Sequence, residues 1–159
     1  LDKFAADLAA VLTDEQPGIK TARSLYPAVI LNPRAEPWYS QSLDRSLANF
    51  DYTAIAMVPP AEAGSEPGAF LRELVARVTE RPGATAKVVF ELPSVRWRKD
   101  EEPIPGTQLA ESVRALYGLG ARHVGYFPDN PSENNPDPAL MRMVFHLKPN
   151  SPPLSDLLH

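Results

Sequence analysis

Four short apolar segments recur along this chain at intervals of about 30–35 residues, and this spacing limits the possible folds more than any other feature. They occupy residues 19–26, 53–58, 88–90 and 123–127. The stretches between them carry apolar residues at spacings of three and four, which is typical of amphipathic helices. Strands that alternate with helices in this way predict a parallel sheet. We therefore predict an α/β protein with four strand–helix units, arranged either as a doubly wound sheet or as half of a (β/α)8 barrel.

The same pattern predicts where the helices lie. They are expected at residues 1–12, from Glu36 to Phe50, at 70–78 and at 107–117, while residues 139–146 fit either a short helix or a strand. Many of the 18 prolines fall just past strand ends or at helix starts. A missing N–H costs least at those positions, so the prolines agree with the predicted boundaries.

Composition excludes several classes of protein. The 159 residues are 43% hydrophobic and 23% charged, which fits one ordinary globular domain. The net charge of -4 argues against a general nucleic-acid surface, which would need a basic excess. The absence of cysteine excludes a disulfide framework and a thiolate metal site. No apolar run approaches the roughly 20 residues of a membrane span.

One carboxylate interrupts the third apolar segment. Glu91 follows the run Val88–Phe90 directly, and Trp97 comes six residues later. A carboxylate at the end of a buried strand is costly unless it faces a cavity, a partner or a ligand. Two interpretations follow. Glu91 either forms a structural ion pair with a cation such as Arg23 or Lys20, or it lines a pocket of which Trp97 is a wall.

Other polar and aromatic residues also gather at the predicted carboxyl ends of the strands, where barrel enzymes place their chemistry. They are Arg23 and Tyr26, Met57, Glu91 with Trp97, and Tyr126 with Asp129. No Gly-x-Gly-x-x-Gly or phosphate loop follows any strand, which disfavours a nucleotide-binding domain. The histidines, His123, His146 and His159, do not have the spacing of metal ligands, so neither a metal nor another cofactor is expected.

Four runs of sequence carry a resemblance to a known family. They are residues 19–23, 51–57, 90–92 with Trp97, and 120–130. In this order and spacing the chain resembles the C-terminal glycoside-hydrolase domain of the poly-β-1,6-N-acetylglucosamine deacetylase lipoproteins, the PgaB family of biofilm-forming bacteria. The resemblance extends from Leu1 to about Asn130. It implies that residues 1–148 are the C-terminal half of a (β/α)8 barrel and that residues 149–159 are a tail.

The resemblance also implies a function. In the family, an N-terminal deacetylase domain with its own metal site precedes a barrel that binds partially de-N-acetylated polymer and, in some members, cleaves it. The implied partners are this polymer, the complementary N-terminal half-barrel and the deacetylase domain. The implied location is the periplasm, with the parent protein anchored to the outer membrane. The family's catalytic carboxylates belong to an Asp-rich motif of the first half-barrel that this sequence lacks, so no catalytic residue is assigned.

The family's sugar-binding tryptophans match Trp38 and Trp97. Each pyranose presents a face of C–H bonds that can stack on an aromatic ring. Two family motifs are altered here, because Met57-Val-Pro-Pro60 replaces Met-Pro-Tyr and Tyr126-Phe-Pro-Asp129 replaces Tyr-Tyr-Pro-Asp. The predicted substrate-binding residues are Trp38, Trp97, Glu91, Arg23, Tyr126 and Asp129.

Two functional hypotheses remain open at this point. A hydrolase requires the acidic half that this sequence does not contain, whereas a non-catalytic polysaccharide-binding module that guides polymer to export requires only an aromatic groove. A nucleotide-binding domain is a third alternative without a supporting motif. On either of the first two hypotheses, these residues are not expected to close a barrel by themselves.

Overall fold

A computed structural model describes residues 2–58, 67–96 and 102–146. Its first elements are helix α1 (Asp2–Glu15), strand β1 (Ala22–Leu25), helix α2 (Pro27–Leu31), a 3-10 turn (Pro33–Ala35), helices α3 (Glu36–Tyr39) and α4 (Leu43–Asn49), and strand β2 (Tyr52–Ala56). They are followed by helix α5 (Pro67–Thr79), a 3-10 turn (Ala84–Ala86), strands β3 (Val88–Pro93), β4 (Val95–Arg96) and β5 (Glu102–Pro103), helix α6 (Gly106–Gly118), strand β6 (His123–Phe127) and helix α7 (Pro138–His146).

The four longer strands form one parallel sheet in the order β1-β2-β3-β6. Their order in the sheet is their order in the chain, so each helical connection joins two neighbouring strands, as in a (β/α)8 barrel. A doubly wound sheet reverses its strand order at a switch point. The described strands contain no such reversal, which favours the barrel arrangement.

One face of this sheet is covered by helices. Leu25, Ile55, Phe90 and Val124 are register partners in one row across the four strands. Ile55 and Phe90 are completely buried, and Leu25 is 1% exposed. The helices contribute the residues that cover this row, among them Val29, Leu74, Val78, Leu109, Val113 and Leu116. The hydrophobic core therefore lies between the sheet and its helices.

The other face of the sheet is open. Because side chains alternate along a strand, this face carries the residues between the core positions: Ala22, Ser24, Tyr52, Ala54, Ala56, Val89, Glu91, Pro93, His123, Gly125 and Phe127. We call this set the open face. Each of its members is partly or largely exposed. In a (β/α)8 barrel the corresponding side chains point towards the barrel axis.

The predicted elements are largely confirmed, with three corrections. The helix expected from Glu36 to Phe50 is two helices, because Ser40 adopts a left-handed conformation (φ 49°) that ends α3. The first strand begins at Ala22 rather than at residue 19, and α2, β4 and β5 were not predicted. Residues 139–146 form a helix. The predicted tail, 149–159, lies outside the described residues.

Candidate functional site

The carboxyl ends of the four parallel strands meet at one edge of the sheet. Ser94, which is fully buried, ties two of these ends together. Its N–H donates to the carbonyl of Phe127 at 3.0 Å, and its hydroxyl donates to the carbonyl of Pro128. The N–H of Met57 donates to the carbonyl of Glu91 at 2.8 Å. These bonds fix the backbone from which the candidate site residues project.

Glu91 lies on the open face, near the carboxyl end of β3. Its register partners on the neighbouring strands are Ala56 and Gly125, so small residues flank it on both sides. A Cβ atom added to Gly125 would meet nothing closer than the side chain of Val89, at 3.8 Å. Within the described part of the chain, the Glu91 carboxylate makes no hydrogen bond or ion pair. None of the described residues therefore neutralises the charge of Glu91.

Neither Arg23 nor Lys20 forms the ion pair predicted for Glu91, and both of these cations have other partners. Arg23 contacts Asp2 at 2.6 Å, and Lys20 contacts Asp51 at 2.9 Å. Arg23 and Lys20 are thus not its partners, and the interpretation in which Glu91 lines a pocket stays a prediction.

Arg23 lies away from the position predicted for it. It is the second residue of β1, and alternation places it on the same side as Leu25, facing the helices. Its guanidinium lies 5.9 Å from the ring centre of Phe50 and donates to the carbonyl of Ser40 at 3.1 Å. Arg23 also lines a cavity of about 300 Å³ between α1, β1 and α4. Arg23 therefore does not share the open face with Glu91, and its predicted role in substrate binding stays a prediction.

Tyr126 also faces the helices, on the side of the sheet opposite to Glu91. It pairs in register with Leu92, and its ring stacks on Phe145 with centroids 6.1 Å apart. Burial raises the pKa of the Tyr126 phenol, and the negative charge of Asp129 raises it further. Asp129 itself is exposed on the loop that follows β6. The structure thus leaves Asp129 at the carboxyl edge but separates Tyr126 from the open face.

Trp38 projects into solvent beside the carboxyl end of β1. The residue is 90% exposed. The next residue, Tyr39, contacts Tyr26 with ring centroids 5.3 Å apart, and Tyr26 directly follows β1. Sequence reasoning gave no role to Tyr39, although the adjacent aromatic pair Trp38-Tyr39 was a signal that could have identified this region.

Trp97 lies outside the described residues, in the connection between β4 and β5. These two strands pair antiparallel, with Val95 opposite Pro103 and Arg96 opposite Glu102. Arg96 and Glu102 also form an ion pair at 3.2 Å. Both strands adjoin Ser94, whose carbonyl accepts from the N–H of Ile104 at 2.8 Å. The two described residues that flank this connection, Arg96 and Glu102, therefore lie beside the carboxyl end of β3.

A metal centre is not found in the part of the chain that is described. No three or more His, Cys, Asp or Glu side chains of residues 2–58, 67–96 and 102–146 come together in a way that could hold a metal ion. His123 packs its ring edge-on against Tyr52, and its Nε2 lies 3.1 Å from the carbonyl oxygen of Ala86. In the same ranges, no helix has both the length and the apolar character needed to cross a membrane.

Comparison with known proteins gives consistent matches. The profile of the hypothetical glycosyl hydrolase family 13 matches residues 1–127. Over 150 residues, the chain is 33% identical to the poly-beta-1,6-N-acetyl-D-glucosamine N-deacetylases of Escherichia coli K12 and O157:H7. The structure matches the PgaB (BpsB) glycoside hydrolase domain from Bordetella bronchiseptica with a TM-score of 0.80, at 30% identity and over 94% of this chain.

These matches also define how much of each relative the chain represents. It spans 22% of the length of the two E. coli proteins and 42% of the B. bronchiseptica chain. The fold class predicted from the sequence, four βα units of a (β/α)8 barrel, is confirmed by the structural match. The resemblance to the PgaB family is confirmed as well.

Proposed function

This chain belongs to the hypothetical glycosyl hydrolase family 13, and from that premise we propose that it is part of a domain that binds and cleaves partially de-N-acetylated poly-β-1,6-N-acetylglucosamine. The observation that carries the proposal is the position of Glu91. An acid without a partner among the described residues projects from the open face, between two small residues and near the edge where Trp38 is exposed.

This arrangement suits an amino sugar polymer. Partial de-N-acetylation leaves free amines, which are protonated near neutral pH. A carboxylate recognises an ammonium group by charge-assisted hydrogen bonds, which are about twice as strong as neutral ones. In this proposal, Glu91 on the open face and Asp129 on the loop after β6 make such bonds. Trp38 and Trp97 supply aromatic rings on which the C–H faces of the sugars can stack.

Cleavage requires more than this chain's open face supplies. Glycosidases generally use two carboxyl groups, one of which protonates the leaving oxygen. Glu91 is the single acid among the eleven residues of the open face. We therefore propose that the catalytic pair comes from a complementary half-barrel of the same parent protein, and that Glu91 contributes to substrate binding. In this proposal the parent acts in the periplasm, anchored to the outer membrane.

The same observation supports a second candidate function. A sheet face with one carboxylate and exposed aromatic residues nearby is sufficient for a polysaccharide-binding module that guides polymer to export. Such a module would bind oligomers with the same preference for free amines but would release no shorter products.

One experiment separates these possibilities. The full-length protein that carries this chain is incubated with partially de-N-acetylated and fully acetylated β-1,6-linked oligomers, and binding is measured alongside the products. Shorter oligomers formed from the partially de-N-acetylated substrate support a hydrolase. Binding without products supports the binding module. Absence of both binding and products would contradict the proposal.

A further inference from the structure

Two carboxylates lie at the carboxyl edge, and the backbone holds them in different ways. Within the described part of the chain, neither Glu91 nor Asp129 makes a side-chain hydrogen bond or an ion pair. Glu91 belongs to β3, where it pairs in register with Ala56 and Gly125. Asp129 follows β6 and lies outside the sheet. Contacts other than the hydrogen bonds between strands therefore fix the position of Asp129.

The loop that carries Asp129 is held on both sides of this residue. On one side, Ser94 donates its N–H and its hydroxyl to the carbonyls of the two residues that precede Asp129. On the other side, Asn130 and Asn135 each donate their N–H to the carbonyl of the other, at 2.8 and 3.1 Å. Asp129 lies between these two anchors. A rearrangement of either anchor would therefore move its carboxylate.

The Ser94 hydroxyl controls the orientation of the peptide that leads into Asp129. The carbonyl of Pro128 and the N–H of Asp129 belong to one planar peptide group. The hydrogen bond to this carbonyl therefore fixes the plane from which the Asp129 side chain projects. It is also the contact that depends on the side chain of Ser94 and that alanine cannot make. The other two bonds of Ser94, to Phe127 and Ile104, use backbone groups that alanine retains.

Burial favours this pairing strongly. Ser94 is completely buried, so its hydroxyl cannot turn to bulk water, and leaving it unpaired would cost free energy. A second buried serine, Ser46, shares a hydrogen bond of 2.7 Å with the hydroxyl of Thr53. That pair lies between α4 and the helix side of β2, away from the carboxyl edge. The same kind of group thus occurs once beside the candidate site and once apart from it.

We propose that Ser94 is a positioning residue, which holds Asp129 where its carboxylate meets a protonated amine of the polymer. Ser94 thereby contributes to a preference for de-N-acetylated units. This inference rests on the proposed function. Glu91 is held by the sheet on both sides and does not depend on the Ser94 hydroxyl. The two carboxylates should therefore respond differently to loss of that hydroxyl, although both recognise the same class of group.

The first test compares Ser94→Ala with Ser46→Ala in the full-length protein. Each removes one buried hydroxyl, and each is expected to lower the melting temperature. The probes are partially de-N-acetylated and fully acetylated β-1,6-linked oligomers of equal length, and the readout is the ratio of their affinities. Ser94→Ala should reduce this ratio about threefold, a size typical of exposed ion pairs. Ser46→Ala should leave the ratio unchanged, because a purely structural hydroxyl does not distinguish the two oligomers.

The second test identifies the group through which Ser94 acts. When Asp129→Asn is already present, Ser94→Ala should have no further effect on the affinity ratio. When Glu91→Gln is present instead, the effect of Ser94→Ala should persist, since independent sites behave additively. Equal effects of Ser94→Ala with and without Asp129→Asn would overturn the positioning role. If Ser94→Ala does not fold, Ser94→Cys takes its place in both comparisons, because its thiol is a weaker donor on a side chain of similar shape.

The outcomes distinguish this inference from the proposed function. If Ser94→Ala lowers the melting temperature but not the affinity ratio, while Glu91→Gln lowers the ratio, Ser94 is only structural and the proposed function stands. If neither Glu91→Gln nor Asp129→Asn alters binding of the partially de-N-acetylated oligomers, the inference and the proposed function both fail.

Discussion

Two adjacent rows of side chains run across the same four-stranded sheet, and their surroundings differ. Leu25, Ile55 and Phe90 belong to the row that faces the helices and are at most 1% exposed. Ala56, Glu91 and Gly125 belong to the next row, on the open face, and each is partly exposed. The first row is large and apolar, whereas the second contains two small residues and an acid.

The difference indicates that one face of the sheet stabilises the fold and that the other is free to bind a ligand. Helix-facing residues bury apolar surface, which is the dominant source of stability in folded proteins. Open-face residues contribute little to that core. Their side chains are therefore less constrained by packing and can serve ligand binding. Because successive residues of one strand serve opposite faces, Phe90 and Glu91 are neighbours in sequence but are expected to respond differently to substitution.

The largest expected effect comes from separating this chain from any complementary segment. The open face would then be exposed to solvent, and the edges of β1 and β6 would lack partners. We expect the isolated chain to self-associate or aggregate. Size-exclusion chromatography with light scattering checks this. A monodisperse monomer with a cooperative melt would show that the open face needs no cover.

Phenylalanine occurs on both faces, which allows a matched comparison. Phe90 is completely buried against the helices, and Phe127 on the open face is 54% exposed. We expect Phe90→Ala to lower the free energy of unfolding by about 3–5 kcal/mol, because it removes contacts and leaves a cavity. Phe127→Ala should cost about 1 kcal/mol, since less of its surface is buried. Thermal melts of both variants test the difference, and similar losses would contradict the division between faces.

Substituting the tryptophans should change binding more than stability. Trp97→Ala is expected to weaken binding of partially de-N-acetylated β-1,6-glucosamine oligomers by about 1–3 kcal/mol, the scale measured for stacking of bases on aromatic side chains. Trp38→Ala should act in the same direction. Calorimetric titration measures the affinities, and circular dichroism checks that the variants fold. Unchanged affinity in both folded variants would remove the support for an aromatic groove at this edge.

The smallest expected effect concerns the amino ends of the strands, at the edge of the sheet opposite to the carboxyl edge. Asp51 accepts from the backbone N–H of Thr21 at 2.9 Å and pairs with Lys20, and these contacts lower its pKa from 3.8 to about 2. A lowered pKa stabilises the fold above the unfolded value of 3.8, and this contribution is lost as the pH falls towards 2. Asp51→Asn should therefore lower the melting temperature slightly at neutral pH but not near pH 2. Oligomer affinity should not change, and a change would show that recognition extends beyond the carboxyl edge.

The sequence was sufficient to predict the strands and most helices, because buried parallel strands are marked by short apolar runs and amphipathic helices by their periodicity. It also placed Glu91 at the end of β3. The break at Ser40 was not predictable in the same way, since a left-handed conformation in a non-glycine residue depends on tertiary contacts, here including the bond from Arg23.

The face of the sheet on which each candidate residue lies was predicted less well than the fold. Arg23 and Tyr126 were grouped with Glu91 because all three lie on predicted strands near their ends. Membership of a strand does not determine which face a side chain occupies. Residues two apart in a strand share a face. Arg23 therefore lies on the helix side with Leu25, and Tyr126 lies there with Val124. The side chain of Gln41 bonds to the backbone of Tyr26 and Ser24, 15 and 17 residues away, and no local pattern reveals such contacts.

The most direct test of the account is Glu91→Gln, measured for both stability and binding in the full-length protein. Glu73→Gln is the matched control, because it removes the same charge from an exposed position on α5. We predict that Glu91→Gln leaves the melting temperature nearly unchanged and weakens binding of partially de-N-acetylated oligomers about tenfold, with little effect on fully acetylated ones. Glu73→Gln should change neither quantity. A large fall in melting temperature with unchanged affinity would contradict the assignment of Glu91, and with it the division of the sheet into a stabilising face and a binding face.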